Sequence, residues 1–171
     1  MTVTIPEFVT AEGNVKVAWI PAIADLNAPT LVELNAGVDI TCYLPETWGG
    51  ITADQAKGEQ RRMCSKESFE TLGRIKRAVA DLTYTYLPQA PDTDAGNKVK
   101  KALATGVSGY LVTRYGPDAT DAFATGDVVD VLPVEAGAQN KNKGGSDEFA
   151  PLTITQGMSA RGVLEEDAVV A

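Results

Sequence analysis

Histidine is absent from the 171 residues, and its absence governs every candidate site in the chain. Without imidazole there is no Ser-His-Asp or Cys-His relay and no His-ligated metal, so catalysis would fall to carboxylates, Lys, Tyr or cysteine. The fragment Gly106-Val107-Ser108-Gly109 is one residue short of a nucleophile elbow and has no base to activate Ser108. Asp92-Thr93-Asp94 opens like a calcium loop. The EF-hand spacing then meets Gly96 where a ligand belongs, Asn97 where glycine belongs and Leu103 where a bidentate Glu belongs, so Asp94 reads better as a helix cap. Asp118 and Asp121 have the spacing of an N-cap and its third residue, a reading favoured over an acid pair for glycoside chemistry. Asp127 and Asp130 fall on opposite faces of a regular strand and do not make a pair. Neither a Walker pattern nor G-x-G-x-x-G occurs. Glu165-Glu166-Asp167 reads as a solvated charge run before it reads as a metal site. Of the two tryptophans, Trp19 reads as core, and Trp48, on the turn Trp48-Gly49-Gly50, as the surface aromatic. The expectation is no catalytic, cofactor-binding or metal-binding residue, no cofactor, and no enzyme.

The elements that would carry these residues read as one mainly β domain spanning 1–171. A chain of this length buries about 70% of its unfolded surface, enough for a core without disulfide or metal. Val15, Val17 and Trp19 alternate with Lys16 and Ala18 between Gly13 and Pro21, which predicts a first strand. Thr30 and Glu33 form a capping box for a two-turn helix over 30–37, with Gly37 as a left-handed terminator. Val38, Ile40, Cys42 and Leu44 alternate and predict a second strand ending at Pro45. Residues 46–73 read as a long excursion from the core, with a β-ribbon as its candidate form. Alternation resumes over 76–86. A helix is expected over 94–105, capped by Asp94 and ended by Gly106, then a strand over 107–115 and a turn or short helix over 118–125. The strand at 128–134 carries Pro133, which places its end at a sheet edge. Residues 136–147 read as a flexible polar loop, and 152–156 as the last strand. The fold class that follows is α+β, mainly β: an antiparallel sandwich or barrel with one flanking helix and a long extended loop.

Charge is unevenly placed. The chain has 15 Lys+Arg against 23 Asp+Glu, a formal −8, and an acid excess opposes tight nucleic-acid binding. Between residues 57 and 77 seven of the 15 basic residues (Lys57, Arg61, Arg62, Lys66, Arg74, Lys76, Arg77) face three acids, a net +4 that leaves −12 on the rest. A basic excursion on an acidic body matches the body of a neighbouring copy. Such a contact joins different patches and so builds rings or filaments; the alternative is that the cations are simply solvated along the ribbon. Residues 1–30 hold no secretory pattern, and the charge-free stretch 102–113 is 12 residues long, short of the roughly 20 a bilayer needs. Cys42 and Cys64 are the only thiols and are expected as small buried hydrophobes in a reducing compartment; they fall in segments read as strands that could pair, which leaves a bridge between them open.

The chain as a whole resembles the major tail tube proteins of long, non-contractile-tailed bacteriophages, those of actinobacteria in particular. The resemblance is carried by Phe8-Val9-Thr10-Ala11-Glu12-Gly13-Asn14 leading into Val15-Lys16-Val17-Ala18-Trp19, by residues 34–44, by Met63-Cys64-Ser65-Lys66-Glu67-Ser68-Phe69-Glu70, by residues 121–130, and by the tail 161–171. Their order along the chain, more than any one piece, makes the match. It implies a virion protein whose six copies close into a ring, with rings stacking into the tube through which genomic DNA is ejected. It also implies assembly in the host cytoplasm, tail tip or initiator, tape measure and tail terminator proteins as partners, and no membrane. An extended loop would reach the adjacent ring, and 46–73 is the segment matched to it, with Arg61, Arg62, Lys66, Phe69 and Arg74 as its contact residues. The termini, 1–12 and 157–171, would be flexible arms that order on assembly. A related fold forms the tubes of bacterial injection systems. The rival reading from the residues alone is a β-sandwich module that binds carbohydrate or protein through Trp48 and Tyr43, with a small carboxylate enzyme a distant third.

Overall fold

The computed structural model describes residues 7–143 and 148–171. The architecture is mostly β: a curled antiparallel sheet, a half-barrel, with short helices against its faces and a two-stranded ribbon beside it. In chain order the elements are β1 (Val15–Ile20), α1 (Leu31–Asn35), β2 (Val38–Asp39), a 3₁₀ turn (Thr41–Tyr43), β3 (Ile51–Gln60), β4 (Phe69–Val79), β5 (Leu82–Thr85), a second 3₁₀ turn (Ala95–Asn97), α2 (Lys98–Ala102), β6 (Ser108–Tyr115), β7 (Val128–Asn142), β8 (Thr153–Ala160) and β9 (Glu165–Val169). The sheet runs β2-β1-β6-β7-β8-β5, with β9 also on β7; β3 and β4 pair only with each other.

Both faces of the sheet are buried: in β1, read as an alternating strand, Ala18 and Ile20 are as buried as Val17 and Trp19. Direct partners across strands share a face. On one side Trp19, Leu111 and Leu132 lie in a row, packed with Leu82, Tyr84 and Ile154 and covered by Val99 and Leu103 from around α2. On the other side Ala18, Val112 and Val131 lie in a row, covered by Ile23, Leu34 of α1, Phe123 and Val170. One buried polar group ties the first cluster together. Gln156 donates to the Leu103 and Gly137 carbonyls at 2.8 and 2.7 Å and accepts from the Tyr84 hydroxyl at 3.0 Å, joining β8, β7, β5 and the end of α2.

The capping box of α1 forms as its spacing predicts: Thr30 Oγ1 accepts from Glu33 N, and the Glu33 carboxylate accepts from Thr30 N. Gly37 has a different role from the expected one. It is not left-handed; a Cβ there would sit 2.6 Å from the Trp19 carbonyl and run into Ile20 Cδ1, so glycine is required by the approach of β2 to β1.

Other local expectations are corrected. The strand expected over 38–44 stops at Asp39, because Asp39 Oδ1 accepts from Thr41 N and Thr41 Oγ1 then bonds both Val17 N and Val17 O, turning the chain into a 3₁₀ turn. The alternating stretch 76–86 is two strands, broken at Ala80-Asp81, where Ala80 N closes the ribbon on Gly50 O and β5 turns to pair with β8. The helix expected over 94–105 shrinks to five α-helical residues after a 3₁₀ turn, capped by Asp94 on Gly96 N at 2.8 Å. Of the turn or short helix expected over 118–125 the turn is what forms: Asp118 closes on Thr120, and Arg114 takes the Asp118, Asp121 and Ala122 carbonyls.

Pro133 lies within β7, not at a strand end. Its carbonyl faces the gap between β9 and β8 and accepts from Arg161 N, so its missing N–H faces the same gap and costs the ladder nothing. Residues 136–142, expected in a flexible loop, extend β7 along β8; the rest of that loop, 144–147, lies outside the described residues. The tail 157–171, expected as a flexible arm, is paired: β8 runs to Ala160, β9 lies on β7, and Val170 is buried with its N–H on the Asp127 carbonyl. Glu12 and its neighbours from Glu7 are exposed and in no strand, whereas 1–6 lie outside the described residues. Cys42 and Cys64 are free and exposed, neither buried nor bridged. Ile40 and Leu44 around Cys42 take the inward positions, and Cys64 lies on the ribbon tip.

Candidate assembly interface

The excursion is a projecting hairpin. β3 and β4 pair from Ile51↔Val79 at the base to Gln60↔Phe69 near the tip. The sequence reading ended it at Gly73; the structure carries it to Val79. Its base is fixed by apolar packing of Ile51, Val79 and Trp48 on the first core cluster and by the Trp48 Nε1–H bond to the Ala80 carbonyl at 3.2 Å. Trp48 is therefore a half-buried anchor and not an open surface aromatic. Tyr43, its partner in the binding-module reading, is half-buried and donates to the Ala95 carbonyl at 2.6 Å.

The shaft carries one irregularity between Gln55 and Lys57, with Gly73 and Arg74 both set against Ala56. A Cβ on Gly73 would lie 3.3 Å from the Ala56 carbonyl, a tight fit that suits glycine. The bulge has a consequence for the surface. Ile75 pairs with Gln55 and Leu72 with Lys57; because Gln55 and Lys57 are two apart on one face, Ile75 and Leu72 share that face despite being three apart. They are 56% and 65% exposed.

Of the residues expected to make contacts, Arg61, Arg62 and Lys66 lie in the tip turn and Phe69 opens β4 beside them, half-exposed. Arg74 lies apart from these, in the bulge. Arg61 pairs with Glu59 at 3.1 Å, and Ser68 first, then Arg61, hold the Glu59 carboxyl below its usual range. Arg77 reaches Glu166 on β9 at 2.9 Å. Arg62, Lys66, Arg74 and Lys76 have no carboxylate within 4.0 Å among the described residues. Sequence reasoning missed Leu72, Ile75 and the fully exposed Met63. Leu72 and Ile75 have the wrong spacing for one face of a regular strand, and only the glycine between them hinted at a bulge.

A second exposed apolar surface lies at one end of the sheet. Val15 pairs with Tyr115 and Val128 with Val169, and the β6–β7 register that pairs Arg114 with Val129 sets Tyr115 beside Val128. Tyr115, Val128 and Val169 are 55%, 47% and 51% exposed. Asp130 lies on the same face one row in, and burial first and then the Asp130 charge push the Tyr115 hydroxyl up from its ordinary value. Asp130 Oδ1 accepts from Asp167 N at 3.0 Å, where Asp167 adopts φ 60° opposite an irregularity in β7–β9 pairing. The acid run 165–167 is thus spread over a bulged strand, with Glu166 paired to Arg77. Among the described residues no group of three or more His, Cys, Asp or Glu side chains is placed to hold a metal ion, and no helix is long and apolar enough to cross a membrane.

A curled sheet closed on both faces, with its free surface concentrated on strands and a projecting hairpin, defines a structural subunit that works through contacts with other chains. A family profile described as phage tail tube protein matches residues 2–171, and the chain belongs to that family. It is a phage tail structural protein. No curated protein matches it. Among solved structures, a chain from the cryo-EM structure of the anti-feeding prophage (AFP) baseplate, 6-fold symmetrised, is 9% identical, covers 98% of this chain and 100% of its own, and superposes with a TM-score of 0.55. At that identity the likeness shows a shared fold alone.

Proposed function

We propose that six copies of this chain close into a ring and that rings stack into the tube through which genomic DNA leaves, with the β3–β4 ribbon bridging one ring to the next. The observation that carries this reading is the ribbon itself: a paired hairpin that buries only its base, holds unpaired cations near an exposed apolar face, and belongs to an otherwise acidic chain. Membership of the tail tube family supports it, and so does the six-fold assembly to which the similar fold belongs. Assembly in the host cytoplasm, with tail tip, tape measure and tail terminator proteins as neighbours, belongs to the same reading, as does the subtype with long non-contractile tails. Six copies at −8 each surround DNA that bears about one charge per 1.7 Å of duplex. Acids on the channel wall repel it, and screening over about 8 Å at physiological salt keeps the duplex off the wall, so it passes without specific binding.

Electron microscopy of the purified chain, alone and with a tail-tip initiator, tests the reading. Rings of six or tubes are the expected result; a persistent monomer that binds glycan would favour the rival binding module. Reversing Arg61→Glu and Arg62→Glu should stop tube growth while leaving the circular dichroism of the chain unchanged. Tubes of normal length from that double variant would show that the two cations are merely solvated.

A further inference from the structure

We infer that the two ends of the sheet are complementary between copies: the lysine-rich end around α2 and the last residues of β7 receives, from a second copy of this chain, the acidic end formed by residues 7–14, 115–128 and 167–171. The inference rests on the stacked-ring reading and adds to it a contact that the ribbon does not make.

Eight cations lie outside the ribbon. Lys16 and Arg114 are buried, Arg161 pairs with Glu135, and the other five, Lys98, Lys100, Lys101, Lys141 and Lys143, are gathered at one end. Backbone pairing puts them there. β7 passes the end of β6 at Ser108↔Glu135 and continues along β8 to Asn142↔Thr153. Gln139 Nε2 donates to the Lys100 and Leu103 carbonyls at 2.8 and 3.0 Å, which pins α2 beside this extension. Lys141, two residues on, shares the face of β7 that Gln139 turns to α2. Asp92 feels the cluster: its bond to Lys100 at 2.6 Å first, then the Lys101 and Lys141 charges, hold its carboxyl below the usual range. Asp94 is occupied by the Gly96 N–H, which leaves Glu148 as the remaining described acid nearby.

At the opposite end three segments meet. Gly116 N and Ala119 N donate to the Asn14 and Gly13 carbonyls, Gly126 N to the Val170 carbonyl and Val170 N to the Asp127 carbonyl. Residues 7–14, 115–128 and 167–171 hold six acids and no Lys or Arg. Each end also carries open apolar side chains. Tyr115, Val128 and Val169 stand at the acidic end. Leu87, held by Asn97 just before α2, and Leu152, next to the first residue of β8, are 49% and 44% exposed at the lysine end. The two ends terminate one strand, β7, at Val128 and Asn142. Copies set end to end in one orientation therefore bring unlike charges together, and the reversed pairing brings like charges together. The ribbon is the competitor for the acidic end. Its Leu72 and Ile75 share a face with Glu59 and with the Lys57–Glu70 pair, and Lys76 stands on the other face against Asp54. Its tip is a single turn, whereas each end of the body is several strands wide.

Charge exchange tests the pairing. Lys101→Glu with Lys141→Glu, and separately Glu12→Lys with Asp121→Lys, should each raise the concentration needed for tube growth by about tenfold or more. All four substitutions in one chain should bring it back to within about threefold of wild type, because the two ends are coupled. The four side chains are exposed, so the chain keeps its fold, checked by an unchanged thermal midpoint. Unchanged growth of either double variant overturns the inference. So does easier growth of Glu12→Lys, Asp121→Lys, a chain less negative than the wild type, which would make net repulsion the governing term. A quadruple variant no better than its halves overturns it as well. Rescue of Glu12→Lys, Asp121→Lys by Arg62→Glu, Lys66→Glu would give the acidic end to the ribbon tip and equally overturn it. In all of these outcomes wild-type tubes leave the stacked-ring reading intact; a wild-type chain that forms neither rings nor tubes sinks both.

Discussion

Arg114 is withdrawn from water between the sheet and the loop that follows β6. Its terminal nitrogens donate to the Ala122, Asp118 and Asp121 carbonyls at 2.9, 2.8 and 3.1 Å and to Asp127 Oδ2 at 2.7 Å. The Phe123 ring lies 5.3 Å away. A planar fork can serve four acceptors at once, which a lysine head cannot. Lys16 works beside it, donating to the Ala119 carbonyl at 3.0 Å and pairing with Asp39 at 2.6 Å. The loop over 116–127 is thus wound around two buried cations. Removing one partner strands the others, so Arg114→Ala should cost about 3–5 kcal/mol, read from urea unfolding, and Arg114→Lys should recover only part of it. Acid acts on the same group. Burial opposes the charge on Asp127, but the Ala124 N–H and Arg114 hold its carboxyl below the usual carboxylate range. A lowered folded pKa stabilises the chain above the unfolded value, about 3.9, and the contribution is lost as pH falls from there through the folded pKa. Stability measured by urea unfolding should therefore drop below about pH 4. Asp127→Asn should be less stable at neutral pH and should flatten that drop; an unchanged slope would place the acid sensitivity elsewhere.

At the scale of elements, the ribbon joins the body at its base, where β4 runs against β8 and Val79 enters the core, and its outer length projects from there. Beyond the pairs Ile51↔Val79 and Thr52↔Ala78 the shaft is exposed apart from half-buried Gln55 and Arg77, and the Arg77–Glu166 bond to the sheet is a partly exposed pair worth about 0–1 kcal/mol. Replacing residues 53–77 by an Asn-Gly turn, which suits a tight hairpin, should leave stability within about 1 kcal/mol of the full chain and abolish tube growth. Loss of the folded body would show instead that the ribbon is needed to fold it. The range of each element's contacts explains what could be read from the sequence. β1 and β6 were legible because their alternation or apolar run is set by burial on the sheet. The capping box of α1 was legible because it is complete within four residues. What stayed hidden depends on distant partners. Pro133 within β7 is tolerated only because β9 gives way to β8 opposite it, and the polar run after Ala136 is a strand only because β8 lies beside it. Cys42 was expected in a strand face that a single hydroxyl, Thr41 on Val17, turns into a 3₁₀ turn. Of the five expected contact residues the four cations were legible as a basic cluster, but the fold sets Arg61, Arg62 and Lys66 with Phe69 at the tip and Arg74 apart. The apolar face of Leu72 and Ile75 could not be seen without the bulge.

For the whole molecule, the −8 of the chain has two opposed effects on assembly. Acidic bodies repel one another, and a basic ribbon on an acidic chain would attract the acidic body of another copy. If the contact that forms is apolar at its centre and charged at its edge, charge governs how fast copies meet and apolar burial governs how long they stay. Raising salt separates the two. Between physiological ionic strength and about 1 M the screening length falls from about 8 Å to about 3 Å, so long-range attraction is lost while close apolar contact is kept. Tube growth from a fixed number of initiators should slow by about tenfold or more over that range. Tubes already grown should persist for hours after transfer to the same high salt, both followed by light scattering and electron microscopy. Rapid dissolution would make the ribbon contact ionic, and growth indifferent to salt would leave the charge asymmetry with no part in assembly. The expected pair of results has a physical use in a conduit. The subunit would find its place through charge, and the finished wall would hold without depending on it, so the local ionic conditions during DNA passage would not loosen the tube.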